Sequence, residues 1–227
     1  MTIDTRKQIE ADFNEISRML LKLGNMSGEA LTRSVWALER LDMATAHAVI
    51  EGDDPLDDLT EWIEEKCMAF GARHQPLGRD LRAVLSTMHM AVDLERIGDY
   101  GVNISRVVLA LEGKSFIKPL LDIPRMSEVF SEMLHCTLNA YDTSDPEMAK
   151  RVFMMDGEID ALEKQVMREL FTMVLERADR FEQAFLLIGV ARALERAGDH
   201  LTNIAERVVY ICTGKSVRAS DFKKRKQ

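Results

Sequence analysis

The sequence is short of the residues that build an all-β protein. Aromatics are 6% of its 227 residues, and its five prolines are about 2% of the chain, against a usual value of roughly 5%. A sandwich or barrel of many short, turn-punctuated strands is therefore not expected. Long apolar runs are missing as well: the longest, Ala184 to Ala191, is eight residues, far below the ~20 that span a bilayer. Charges at Asp4, Arg6, Lys7, Glu10 and Asp12 leave no room for the apolar centre of a secretory signal. The expected location is cytoplasmic, with no transmembrane segment. Only three cysteines occur, Cys67, Cys136 and Cys212, widely spaced and odd in number. That suits reduced thiols in a helical core better than a disulfide framework or a zinc ribbon.

Positive charge is scarce except at one end. The net charge is −8, but residues 215–227 hold Lys215, Arg218, Lys223, Lys224, Arg225 and Lys226 against Asp221. Residues 1–214 thus carry 24 basic and 37 acidic groups, a net of −13. An acidic body makes a poor nucleic-acid binder, because phosphate contacts need a basic face. The basic tail could touch an anionic surface or an acidic partner, but a solvated, disordered terminus is the plainer expectation.

What the sequence does have is helical periodicity. Turn signals break it only at 52–55, 71–76, 112–119, 121–124, 143–146 and 177–180, and the intervening stretches show apolar spacing of three and four. Six principal helices are predicted, near 5–48, 53–71, 76–112, 124–143, 145–177 and 179–213, the first broken near Gly24 to Gly28 because two glycines weaken a helix. The third and sixth carry nearly the same text: residues 94–104 read LERIGDYGVNI and 194–204 read LERAGDHLTNI, identical at seven of eleven positions. Asp53, Asp57, Leu59 and Ile63 align with Asp156, Asp160, Leu162 and Val166 at one offset. The chain reads as a tandem duplication, all-α, with two three-helix bundles related by a pseudo-twofold. The domains are then 1–115, 116–214 and a basic tail, 215–227.

Three short motifs are weak. Gly-Lys-Ser at 113–115 and 214–216 follows a helix, not the strand of a phosphate-binding loop, and reads as a helix stop. Glu132 and His135 have the Glu-x-x-His spacing of di-iron bundles, which require it on two helices; it occurs once, so a surface pair or a satisfied histidine is favoured. His89 and Asp93 suit a local hydrogen bond.

The carboxylates form the candidate site. Glu95 and Asp99, four apart, share a helix face with Leu77, Leu81, Val84, Met88 and Val102, and a second apolar stripe beside it predicts a largely buried helix. Glu195 and Asp199 repeat this with Phe181, Ala184 and Ile188, while Asp156 and Asp160 line up with Phe153, Met167, Phe171 and Val174. Carboxylates on an apolar face need compensation, since an isolated buried charge costs several kcal/mol. Arginines, helix N-termini or a cation could supply it; oxygen-only ligation suits iron(III), manganese, magnesium or calcium, with zinc possible. Salt bridges and caps at the rim produce the same pattern.

The duplicated LERIGD and LERAGD, each followed by Asn-Ile (103–104 and 203–204), and the segment Gln75-Pro76-Leu77-Gly78-Arg79-Asp80-Leu81-Arg82 resemble the signature of the PhoU family over essentially the whole chain. The resemblance implies two tandem three-helix bundles in a cytoplasmic, usually dimeric protein. It implies repression of the phosphate-starvation response through a phosphate ABC transporter's ATPase subunit and a sensor histidine kinase. It also implies iron or zinc held by (Glu/Asp)-x-x-x-Asp motifs at Asp53/Asp57, Glu95/Asp99, Asp156/Asp160 and Glu195/Asp199, while the oxygen-only donors leave manganese or magnesium open. Two departures stand out. Pro55 puts Asp53 at an N-cap position, aimed away from any metal, so the second-half site ranks above the first. Arg180-Phe181-Glu182-Gln183 replaces the Gln-Pro opening, so the bundles differ there. No nucleophile with an adjacent base and no glycine-rich nucleotide loop appears. A non-catalytic regulator is expected, with a carboxylate-bridged metal hydrolase or oxidase, or a purely structural adaptor, as alternatives.

Overall fold

A computed structural model describes residues 3–223. Its helices are α1 (Ile3–Arg40), α2 (Met43–Glu51), α3 (Asp54–His74), α4 (Arg79–Ala110), α5 (Asp122–Asp142), α6 (Pro146–Glu176), α7 (Phe181–Thr213) and α8 (Ala219–Lys223), with a 3-10 turn at Ala178–Arg180. Among the described residues there is no strand, and no helix long and apolar enough to cross a membrane. The all-α, duplicated architecture is as the repeat predicts: α1, α3 and α4 pack as one three-helix unit, α5, α6 and α7 as the other, and α2 is an extra short helix against α1 and α4.

The first helix breaks elsewhere than predicted. It runs straight through Gly24 and Gly28 and stops at Leu41, whose φ is +50°, after which Asp42 caps α2 by accepting from the Ala44 and Thr45 N–H groups at 3.0 and 3.2 Å. The glycines serve packing instead. A Cβ on Gly28 would stand 2.1 Å from Leu134 Cδ2, and one on Gly24 2.6 Å from Leu138 Cδ2, so their absence lets α5 seat against α1. The glycine of each signature acts likewise. A Cβ on Gly98 would meet Leu56 at 3.1 Å, and one on Gly198 would meet Ile159 at 3.2 Å, the equivalent residue of the other half. Gly214, at φ +72°, stops α7 as predicted, whereas α4 already ends at Leu111 and Gly113, at φ +71°, stands in the turn that follows.

The halves join through α1 on α5 and α4 on α7. Helices α4 and α7 run antiparallel: the Arg82 guanidinium lies against Gly214 at one end, and Lys114 Nζ donates to Glu182 at 2.9 Å at the other. These are equivalent pairs, 82 with 214 and 182 with 114, so a pseudo-twofold crosses the helix pair near Gly98 and Gly198. There Tyr100 and His200, themselves equivalent, meet with ring centroids 5.8 Å apart. The linker is tied down by Gln183, buried on α7, whose amide donates to Ser115 O at 3.0 Å and accepts from the Ile117 N–H at 2.6 Å. Between the halves the buried Tyr141 hydroxyl lies 3.1 Å from Ser17 Oγ and 3.3 Å from Thr87 Oγ1.

Three expectations are corrected. Of the cysteines, Cys67 is buried, and burial pushes its thiol up to about 12, but Cys136 and Cys212 are only partly buried. The basic segment is not simply solvated, because Phe222 of α8 packs on Phe153 at 5.2 Å between centroids; Lys224, Arg225 and Lys226 lie outside the described residues. The apolar stripe shared with the carboxylates is buried only in part. Leu77, Leu81, Phe171 and Phe181 are exposed, because a single helix face cannot tell packing against a neighbour from standing at a bundle's end.

Candidate functional site

Each helix pair brings its predicted carboxylates to one place. In the first half, α3 antiparallel to α4 sets Asp53 and Asp57 toward Glu95 and Asp99. Asp53 stands at the N-cap position before Pro55 as predicted, yet its side chain caps nothing. It faces the cluster instead. Its carboxyl is raised first by burial and then by Asp57 and Asp99, and Arg106 acts in the opposite sense. Burial and then Asp99 raise Asp57. Glu95 is raised by burial and then by Asp99, with Arg96 opposing. Arg96 is placed to do so, with Nη1 donating to Asp99 Oδ2 at 3.0 Å and Nε 3.5 Å from Glu95 Oε2.

In the second half Asp156 lies on the interior of α6, only 2% exposed, its Oδ1 3.5 Å from where a Cβ of Gly198 would stand. That is ordinary contact distance, so the signature glycine brings α7 close beside the carboxylate while the tight fit is against Ile159. Glu195 is raised by burial and then by Asp199, Asp160, Glu163 and Asp156 in turn. The four charges that act on it most strongly are of its own sign. Glu163 was not apparent from the repeat, because its equivalent in the first half is Thr60; the i, i+3 spacing from Asp160 is the signal that would have found it.

The donor chemistry of both clusters suits a hard cation, but the side chains do not close around one: among the described residues no three carboxylate, histidine or cysteine groups gather closely enough to hold a metal ion. The other motifs are also accounted for. His135 pairs with Asn139 at 2.9 Å and Glu132 is exposed. Asp93 is engaged not by His89, one turn away, but by His200 Nδ1 across the pseudo-twofold at 2.7 Å. Its own equivalent is Ala193, so this contact has no counterpart.

Comparison with known proteins rests on the same two units. The family model of the PhoU domain matches residues 20–108 and again 123–208. A relative from Clostridium acetobutylicum, called a phosphate-specific transport system accessory protein PhoU homolog, is 33% identical over 96% of this chain and 100% of its own length. The crystal structure of PhoU from Pseudomonas aeruginosa superposes with a TM-score of 0.87 at 31% identity, covering 91% of this chain and 99% of that one. The phosphate transport system regulatory protein PhoU from Streptococcus pneumoniae gives 0.86 at 26%, covering 92% and 99%. With one signature in each half, each set where its glycine lets two helices touch, and with the family model matching both halves, this chain belongs to the PhoU family.

Proposed function

We propose that the chain is a non-catalytic accessory protein of a phosphate-specific transport system, a cytoplasmic homodimer that represses the phosphate-starvation response by coupling the transporter's ATPase subunit to a sensor histidine kinase. The observation that carries the reading is the duplicated signature on a fold shared end to end with proteins bearing that description.

The carboxylate clusters belong to the same reading as seats for a cation, iron or zinc first and manganese or magnesium next, the second half above the first. Support comes from the oxygen-only donors and the like-charge repulsion at Glu195, which a bound cation would relieve. Deleting the gene should release a phosphate-starvation reporter in phosphate-replete cells, and the wild-type copy should restore repression. A reporter that stays silent in the deletion strain would refute the regulatory role. Adding iron or zinc should raise the melting temperature of the wild type but not of the Glu195→Ala/Asp199→Ala variant; equal shifts and equal metal content would assign the carboxylates to salt bridges.

A further inference from the structure

Three equivalent positions in each half expose a large apolar side chain. In the first half they are Met68, Leu81 and Leu85, at 60%, 39% and 52% exposure; in the second, Phe171, Phe181 and Phe185, at 56%, 61% and 66%. Side chains of this size are commonly buried, and the same three left bare twice over is a pattern rather than scatter. Met68 lies toward the C-terminal end of α3 and Leu81 and Leu85 at the start of α4, Phe171 and Phe181 with Phe185 at the corresponding ends of α6 and α7, and Phe181 and Phe185 stack with centroids 6.1 Å apart. Charges beside the second cluster are paired among themselves, Arg177 with Asp179, Arg180 with Glu176 and Lys114 with Glu182, so that end offers apolar surface with little net charge.

By helical register, Leu81 and Leu85 lie on the same outer side of α4 as Asp99, and Phe181 and Phe185 on that of α7 as Asp199. One face of the molecule therefore presents two apolar ends with carboxylate clusters between them, around the pseudo-twofold near Gly98 and Gly198. Seventeen residues separate Leu81 from Gly98 and Phe181 from Gly198, so at 1.5 Å per residue along antiparallel helices the ends stand roughly 50 Å apart.

We propose that this face docks on a twofold-symmetric homodimer, one chain bridging both protomers, each apolar end entering an identical socket and the acidic centre meeting a basic strip on the partner's twofold axis. The duplicated positions argue for a symmetric occupant, since a single asymmetric partner has no use for the same contact twice. Charge argues for the basic strip, and the acidic centre sets the face against an anionic membrane.

The test borrows its probe from the reading above: the purified ATPase subunit of the phosphate transporter, in its dimeric state. Native mass spectrometry and sedimentation should give one chain per two ATPase subunits, with affinity falling as salt rises. Leu81→Ser/Leu85→Ser or Phe181→Ser/Phe185→Ser alone should each weaken binding by ~10²-fold through loss of bivalency, and the two together should abolish it. Circular dichroism should show all variants folded, because the sites are exposed. Leu81→Phe/Leu85→Phe, which copies the second end onto the first, should bind at least as tightly as wild type. Wild-type binding with both serine pairs silent, with one end alone mattering, or with a one-to-one ratio overturns the inference and leaves the accessory role standing. Failure of the wild-type chain to bind the subunit, or its sedimentation with anionic phosphatidylserine vesicles, overturns the inference together with its choice of partner.

Discussion

Where the first half carries Thr60 the second carries Glu163, and where the first carries Gly101 the second carries Leu201. Arg96 opposes the repulsion on Glu95, and Arg106 that on Asp53, whereas the largest charge effects on Glu195 come from four carboxylates, Glu163 among them. Duplication preserved the acidic motif and let its surroundings diverge, so that Glu95 and Glu195 stand in different charge environments. Packing diverged too. A Cβ on Gly101 would stand 2.8 Å from the Ala30 carbonyl carbon and 2.9 Å from the Leu31 nitrogen, so α1 crosses α4 at backbone contact; the equivalent residue is the buried Leu201, a full side chain filling the wider gap beside α7.

Four measurements would break or sharpen this comparison. The largest effects should come from the packing pair. Leu201→Ala should cost about 4 kcal/mol by leaving a cavity, and Gly101→Ala about 3 kcal/mol because the obstacle is backbone and cannot rotate away. Thermal melts should fall by roughly 2–4 °C for each kcal/mol in a chain of this size, and a neutral Gly101→Ala would show that the crossing is looser than described. Tyr141→Phe should cost about 1 kcal/mol, since it strips a buried hydroxyl from Ser17 and Thr87, and chemical denaturation would register it as a lower midpoint with unchanged slope.

The third measurement is one of pH. Glu195 binds its proton more tightly folded than unfolded, so its ionisation works against the fold. That penalty is absent below the ordinary glutamate value near ~4.3, grows as pH rises through the folded pKa, and is complete above it. Glu195→Gln should therefore stabilise the protein at pH 7, by roughly 0.2–0.5 kcal/mol from the Asp199 pair alone, and the gain should vanish toward pH 4. A variant that melts lower than wild type at pH 7 would contradict the like-charge effect of Asp199 on Glu195. Smallest of all should be the change from Glu95→Gln at pH 7, because removing that carboxylate also strips Arg96 of a partner; a gain as large as that of Glu195→Gln would erase the contrast between the halves.

How much of this could be read in advance depended on the range of the forces involved. Helices and the repeat were legible because apolar periodicity and text identity are local properties, and the carboxylates of each half were brought together by that same alignment. The stop at Leu41 was not legible, since a leucine at positive φ carries no composition signal, and the glycine rule pointed to Gly24 and Gly28, where packing against Leu138 and Leu134 outweighs helix propensity. The bare ends were misjudged because periodicity reports that a face is apolar and says nothing of whether anything covers it. Glu163 and the His200–Asp93 contact lay beyond the repeat, which can find only what both halves kept.

Gln183 carries a consequence of another kind. By offering its side-chain amide to Ser115 O and the Ile117 N–H, it supplies the linker with the donor and acceptor that a neighbouring peptide unit would give. A connection held in that manner is a poor hinge. The segment between the bundles is thereby fastened to α7 and travels with the second bundle.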